Sequence, residues 1–402
     1  MGAAGLVKRS MESLGIAPII NAAGSVTHLS ASPIAADIAG AMAAAAQSSI
    51  DIADAQGRAS EIIAEHTGAE AGIVTSGASA GLLLGTAACL AGLDAVAMDR
   101  LPDTSGMRNE FIVPRSHRNS YDHAVRAAGG RFIEAGVADR IVGVGLRDTE
   151  DWEIEGAITD RTAGFFYVAR PDSRPALPEV AAIARRSRLP LLVDAAAELP
   201  PQGNLRRFME EGADLVVFSG GKAIGGPMAS GILCGRRSLI VSALLQQLDL
   251  DFEFDSWLPP AGLIDKHQLK CVPRHGIGRS CKVGKEQIVG LLLALESFAS
   301  TPNAVREERL TLVATSLVEA LRTLPRLDAR VVADREGRGV PQVEIRAATI
   351  DAHELARRLR AGIPSVRVDA SRARSGVLLL IPTCLSTDDA APIAQAFLQA
   401  LR

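Results

Sequence analysis

A lysine on a glycine turn, directly after an apolar run, is the most chemically suggestive feature of this chain. Leu215-Val216-Val217-Phe218 passes straight into Ser219-Gly220-Gly221-Lys222. The glycines allow a sharp turn and a close backbone approach to a ligand. Lys222 is then either a surface lysine on a Gly-rich turn, or an amine desolvated at a strand end, with a lowered pKa and nucleophilic character. The Ser219 hydroxyl is available for an anionic oxygen. A second apolar run, Pro190–Val193, ends in Asp194. A carboxylate there either caps the next helix or holds a protonated ring nitrogen. A third run ends in Thr75-Ser76-Gly77 just ahead of a small-residue helix beginning at Ala78. It reads either as an ordinary capped turn or as an anion cup made from helix-start N–H groups and serine hydroxyls.

The elements that must position these residues alternate. Strands are expected at Gly72–Thr75, Phe111–Val113, Gly164–Val168, Leu191–Val193 and Leu215–Phe218. Helical patterns separate them, among them Ala78–Ala91, Tyr121–Ala128 and Pro178–Ser187. This βαβα rhythm predicts an α/β fold with a mainly parallel sheet covered on both faces. In such sheets ligands bind at the carboxyl ends of the strands, which is where all three motifs end. Further on, Arg236–Leu248 reads as a helix, Asp249–Gly276 as a long excursion, and Val283–Phe298 as a long helix with an apolar face. The remainder alternates strands and helices as a small α+β C-terminal domain does. Expected boundaries are an N-terminal segment 1–35, a large domain 36–280, and a long helix plus small domain 281–402.

Bulk properties exclude several classes. The chain has 402 residues, enough for a large and a smaller domain. Lys and Arg number 43 against 46 Asp and Glu, a net charge of −3, which argues against nucleic-acid binding through general electrostatics. Cys89, Cys234, Cys271, Cys281 and Cys384 are scattered without metal spacing, so no metal is expected, and free thiols in a reducing cytosol are. No run suggests a signal peptide or a membrane span.

The order of the motifs, anion cup then strand-end Asp then strand-end Lys, resembles the fold-type I pyridoxal 5'-phosphate (PLP) enzymes, the aspartate aminotransferase superfamily. A closer resemblance lies in Ile20–Ser25 (INAAGS), Val74–Gly81 (VTSGASAG), Phe218–Lys222 (FSGGK) and Gly278–Glu296 (GRSCKVGKEQIVGLLLALE). These are similar to bacterial selenocysteine synthase and its relatives, including D-glucosaminate-6-phosphate ammonia lyase. The resemblance runs from about Ile20 to the end of the long helix. It implies a seven-stranded sheet and PLP held as a Schiff base on Lys222, which would also shuttle the α-proton. Asp194 would pair with the pyridine nitrogen. Ser76, Gly77, Ala78 and Ser219 would hold the phosphate. His117 would stack on the ring or touch the substrate, unless it is a surface imidazole in an Arg-rich loop. Arg170, Arg279 and Arg367 are candidates for a substrate carboxylate or phosphate, each alternatively a solvated arginine.

The activity so implied is a lyase reaction, α,β-elimination on a small hydroxy amino acid or amino-sugar acid, giving a 2-oxo acid and ammonia. Aldol cleavage, racemisation, selenium transfer and a non-catalytic PLP-fold scaffold are the alternatives. Selenocysteine synthases carry an additional N-terminal tRNA-binding region, for which the stretch ahead of Ile20 is too short. Fold-type I sites are usually completed by a neighbouring subunit, so a homodimer or larger homo-oligomer is expected.

Overall fold

Strands rich in Val, Ile, Leu and Phe are apolar at every position, so both of their faces must be covered. The computed structural model describes residues 11, 13–137, 149–334 and 338–402. The chain divides into two compact units, Ile34–Ser300 and a second made of Met1–Pro33 with Thr301–Arg402. The second unit opens with β1 (Ile20–Ala22).

The larger unit carries β2 (Ala71–Thr75), β3 (Glu110–Pro114), β4 (Arg131–Ala135), β5 (Thr162–Val168), β6 (Leu191–Asp194), β7 (Leu215–Ser219) and β8 (Gly231–Gly235). They form one seven-stranded sheet in the order β2-β8-β7-β6-β5-β3-β4. Every pairing is parallel except the two made by β8. Because side chains alternate along a strand, Phe165 and Tyr167 enter one buried cluster while Phe166 and Val168 enter the other. Helices Ile52–Thr67 and Leu177–Ser187 pack into the first cluster, and Ala78–Ala91 and Arg237–Gln247 into the second.

The edge strand β2 is sealed in an unusual way. Gln56 on helix Ile52–Thr67 accepts from the Val74 N–H at 2.9 Å and donates to the Val74 carbonyl at 2.8 Å, as a neighbouring strand would. Ser60, one turn later, accepts from the Gly72 N–H. The open hydrogen-bonding edge is thereby closed by side chains.

The smaller unit continues with β9 (Leu327–Val332), β10 (Gln342–Ala347), β11 (Val366–Val368) and β12 (Leu378–Leu380). β12, β10 and β9 form an antiparallel sheet, and β1 pairs in parallel with β11. Helices Asn303–Arg322, Ala352–Ala361 and Ala390–Ala400 bury Leu317, Leu355 and Phe397 against this framework.

Two expected boundaries move. Helix Lys285–Ser300 belongs to the larger unit, because Ile288, Leu291, Leu295 and Phe298 enter its core. The N-terminal segment belongs with the C-terminal residues, because β1 finds its partner in β11.

Candidate active site

The carboxyl ends of β2, β5, β6 and β7, with the antiparallel start of β8, converge on one rim of the sheet. β7 ends at Ser219 and the chain turns at once. The Gly220 N–H donates to the Ser230 carbonyl at 2.9 Å, and the Gly226 N–H to the Gly220 carbonyl at 2.9 Å. A Cβ on Gly220 would lie 2.2 Å from Ser230 Oγ, and one on Gly221 2.7 Å from Met228 Cα. Only glycine fits there, and Lys222 is presented half-buried on the resulting turn.

Asp194 closes the neighbouring strand, in register with Val217. It is 7% exposed, and its Oδ1 accepts from the Ala196 N–H at 3.0 Å. Burial raises its carboxyl pKa; the Ala196 hydrogen bond and the charges of Lys222 and Arg170 pull it back only in part. A buried carboxylate in this state is costly alone and gains from a cationic partner.

The anion cup forms where Thr75, Gly231 and Ser219 lie side by side across β2, β8 and β7. Gly231 leaves a gap in that row: a Cβ there would sit 2.6 Å from the Gly77 carbonyl carbon. Gly77 has φ +94°, ψ 163°, which a side chain would strain, and no side chain caps helix Ala78–Ala91 behind it. The N–H groups of Ala78, Ser79 and Ala80 therefore have no partner within the helix. The Ser76 hydroxyl donates to the Cys281 carbonyl at 2.9 Å. With that hydroxyl proton committed, the helix-start N–H groups and the Ser219 hydroxyl remain as candidate donors to an anion.

His117 follows β3 in a short 3-10 turn and is 3% exposed, which removes the surface-imidazole reading. Its Nδ1 accepts from the Val168 N–H at 3.2 Å, so Nε2 carries the proton and donates to the Arg174 carbonyl at 3.1 Å. Its ring packs edge-on against Tyr167 at 4.5 Å. Burial pushes the imidazole pKa down to about 4, against the Arg174 hydrogen bond that raises it. His117 is therefore a neutral ring with both nitrogens engaged. It offers a face, not a proton.

The three arginines separate. Arg170 is exposed one residue beyond Ala169, whose N–H donates to the Asp194 carbonyl at 2.9 Å. Its charge acts on both Asp194 and His117, and it makes no ion pair among the described residues. Arg279 is engaged instead: Nη2 lies 2.7 Å and Nε 3.2 Å from Asp249 Oδ2. Arg367 lies on β11 in the other unit, with its Nε buried and without an acceptor.

Sequence reasoning missed the support behind the cup. Gln56 also donates to Gln247 Oε1 at 3.1 Å, and the Gln247 amide reaches the Cys281 carbonyl that holds Ser76. The signal was present: Gln56 shares the i, i+3, i+4, i+7 stripe of Ala59, Ser60 and Ile63, all buried.

These residues supply an anion cup, a buried carboxylate, an amine and a flat neutral ring along one rim. That donor set fits a phosphorylated pyridine aldehyde. Residues 125–255 match the family model described as SelA, L-seryl-tRNA selenium transferase. The chain is 32% identical to 5'-C-glycyluridine monooxygenase-decarboxylase of Streptomyces sp, covering 93% of this chain and 88% of that one. It is 30% identical to D-glucosaminate-6-phosphate ammonia lyase of Salmonella typhimurium, covering 95% of each. A solved D-glucosaminate-6-phosphate ammonia-lyase superposes with a TM-score of 0.79 at 29% identity, over 97% of both chains.

Proposed function

We propose that this chain, which belongs to the SelA-like family of fold-type I PLP enzymes, is an ammonia-lyase acting on a 2-amino-3-hydroxy carboxylate. That unit is common to hydroxy amino acids and amino-sugar acids. Its products are a 2-oxo acid and ammonia: Cα loses a proton, Cβ loses hydroxide, and hydrolysis of the released unsaturated amine returns the water.

PLP, when bound, supplies an electron-poor pyridinium that accepts the electron pair left at Cα. Lys222 would hold the cofactor through its amine and would take the proton from the substrate Cα. Asp194 would keep the pyridine nitrogen protonated, and that cation would offset the cost of burying the carboxylate. Ser219 and the N–H groups of Ala78, Ser79 and Ala80 would hold the phosphate, with Gly77 and Gly231 giving it room. His117 would contribute as a neutral ring beside the cofactor. Arg170 binds the substrate carboxylate, since it is uncommitted and beside Asp194. Arg367, in the smaller unit, is a separate anion-binding candidate, since its buried Nε lacks an acceptor among the described residues. Arg279 orders the excursion through Asp249.

The observation that carries this reading is the half-buried Lys222 on its glycine turn beside the buried Asp194. The test is direct. Holoenzyme should show an absorbance band near roughly 410–430 nm that Lys222→Ala loses. A panel of L- and D-hydroxy amino acids and amino-sugar acids should yield ammonia and 2-oxo acid in equal amounts. No release from any of them would sink the lyase reading. A second reading is favoured by the 32% identity to the monooxygenase-decarboxylase: oxygen uptake with CO2 release, in place of ammonia, would select it.

Among the described residues no single helix is long and apolar enough to cross a membrane, and all five cysteines are free thiols. The free thiols are what supports a cytosolic location. The chain works as a homodimer or larger homo-oligomer, as the fold-type I resemblance implies.

A further inference from the structure

In the smaller unit, three arginines converge on one carboxylate. Glu344 stands at the centre of β10 and is only 4% exposed. Arg330, directly opposite on β9, places Nη2 2.8 Å from Oε1. Arg346 places Nε 3.2 Å from the same oxygen, and Arg372 places Nη1 3.0 Å from Oε2. Arg346 Nη1 also donates to the Ser375 carbonyl at 3.4 Å.

One guanidinium is enough to neutralise a carboxylate, and each further one repels the first. Asp328, which pairs with Arg346 across the strands and acts on Arg330, offsets one more charge. The cluster still holds more positive than negative charge. Each guanidinium has five N–H donors, and Glu344 occupies only one of each. Arg330 and Arg346 leave 57% and 46% of their side chains open to solvent. Glu344 thus works as an anchor: it holds three flexible side chains in one orientation, so little rotamer freedom is left for a ligand to remove. Arginine rather than lysine suits a ligand with several coplanar or tetrahedral oxygens.

We propose that Arg330, Arg346 and Arg372, oriented by Glu344, form an oxyanion-binding site on the β9–β10 face, taking a phosphate group. The site does not rest on the lyase reading, because binding is measured without turnover. The experiment is calorimetric titration of PLP-loaded protein at fixed ionic strength, with inorganic phosphate in one arm and a simple phosphate monoester in the other. Saturable binding in either arm is expected, and the tighter one identifies whether inorganic or esterified phosphate is the ligand. Arg330→Gln and Arg346→Gln should each weaken it by about five- to tenfold. If Arg346→Gln fails to fold, the exposed Arg330→Gln decides alone. No saturable binding in either arm overturns the proposal. So does binding that Arg330→Gln and Arg346→Gln leave unchanged, since the phosphate then sits elsewhere.

Discussion

Asp194 and His117 show how burial assigns opposite tasks to two titratable side chains on one rim. Asp194 has a raised pKa. In cofactor-free protein its contribution to stability is therefore present at low pH, and is lost as pH rises from the unfolded value through the folded one. Asp194→Asn should then raise the melting temperature of the cofactor-free protein at pH 8 while weakening PLP binding. An unchanged or lower melting temperature would mean that Lys222 and Arg170 already compensate the charge. His117 has its pKa lowered from 6.5 to about 4. The unfolded chain takes up a proton on this ring below pH 6.5, and the folded protein does not until about pH 4. Its contribution is complete above pH 6.5 and is lost as pH falls, by up to about 3 kcal/mol. Chemical unfolding at pH 7 and pH 4.5 should show a smaller acid loss in His117→Phe than in the natural protein. Parallel losses would exclude this role.

At the level of elements, the cup depends on how closely β8 approaches the start of helix Ala78–Ala91. Gly231→Ala would drive a methyl into the Gly77–Ala78 peptide. The expected result is about a tenfold or greater loss of PLP affinity, with the sheet still folded because Gly231 lies at the strand's first residue. Equilibrium dialysis of PLP against both proteins checks this. Gln56→Ala removes both hydrogen bonds to Val74 and leaves buried backbone groups without partners. It should cost about 2–3 kcal/mol in unfolding free energy. A loss below about 0.5 kcal/mol would show that water replaces the amide. Most of these elements were legible beforehand: β2, β5, β6 and β7 are continuous apolar runs with turn residues at their ends. β4 was not, because Arg131 and Glu134 break its apolar pattern on an exposed edge. β8 was not, because its glycine ends read as loop.

Over the whole molecule, the two units draw on distant parts of the sequence. The reading that split the chain at 281 followed chain order; contacts follow hydrophobic faces instead, and helix Lys285–Ser300 packs with the elements that precede it. The homo-oligomer is tested by light scattering on the holoenzyme, which should give at least twice the chain mass. A monomer that is fully active would overturn it.

The sequence by itself determined the chemistry. Lys222, Asp194 and the Ser76–Ala78 turn stand at the ends of strands because each apolar run stops at a residue that needs a turn, a cap or a charge, and that is a local property. Three things were decided only by tertiary structure. Which strands are neighbours follows from long-range pairing, and it brings Thr75, Gly231 and Ser219 into one row. Which arginine is uncommitted follows from partners far along the chain: Asp249 takes Arg279, and nothing described takes Arg170. Whether His117 is a proton carrier or a fixed ring follows from burial and from two backbone groups, Val168 N–H and Arg174 C=O, more than fifty residues away. Local patterns fix what a residue can do, and packing fixes which of those things it is free to do.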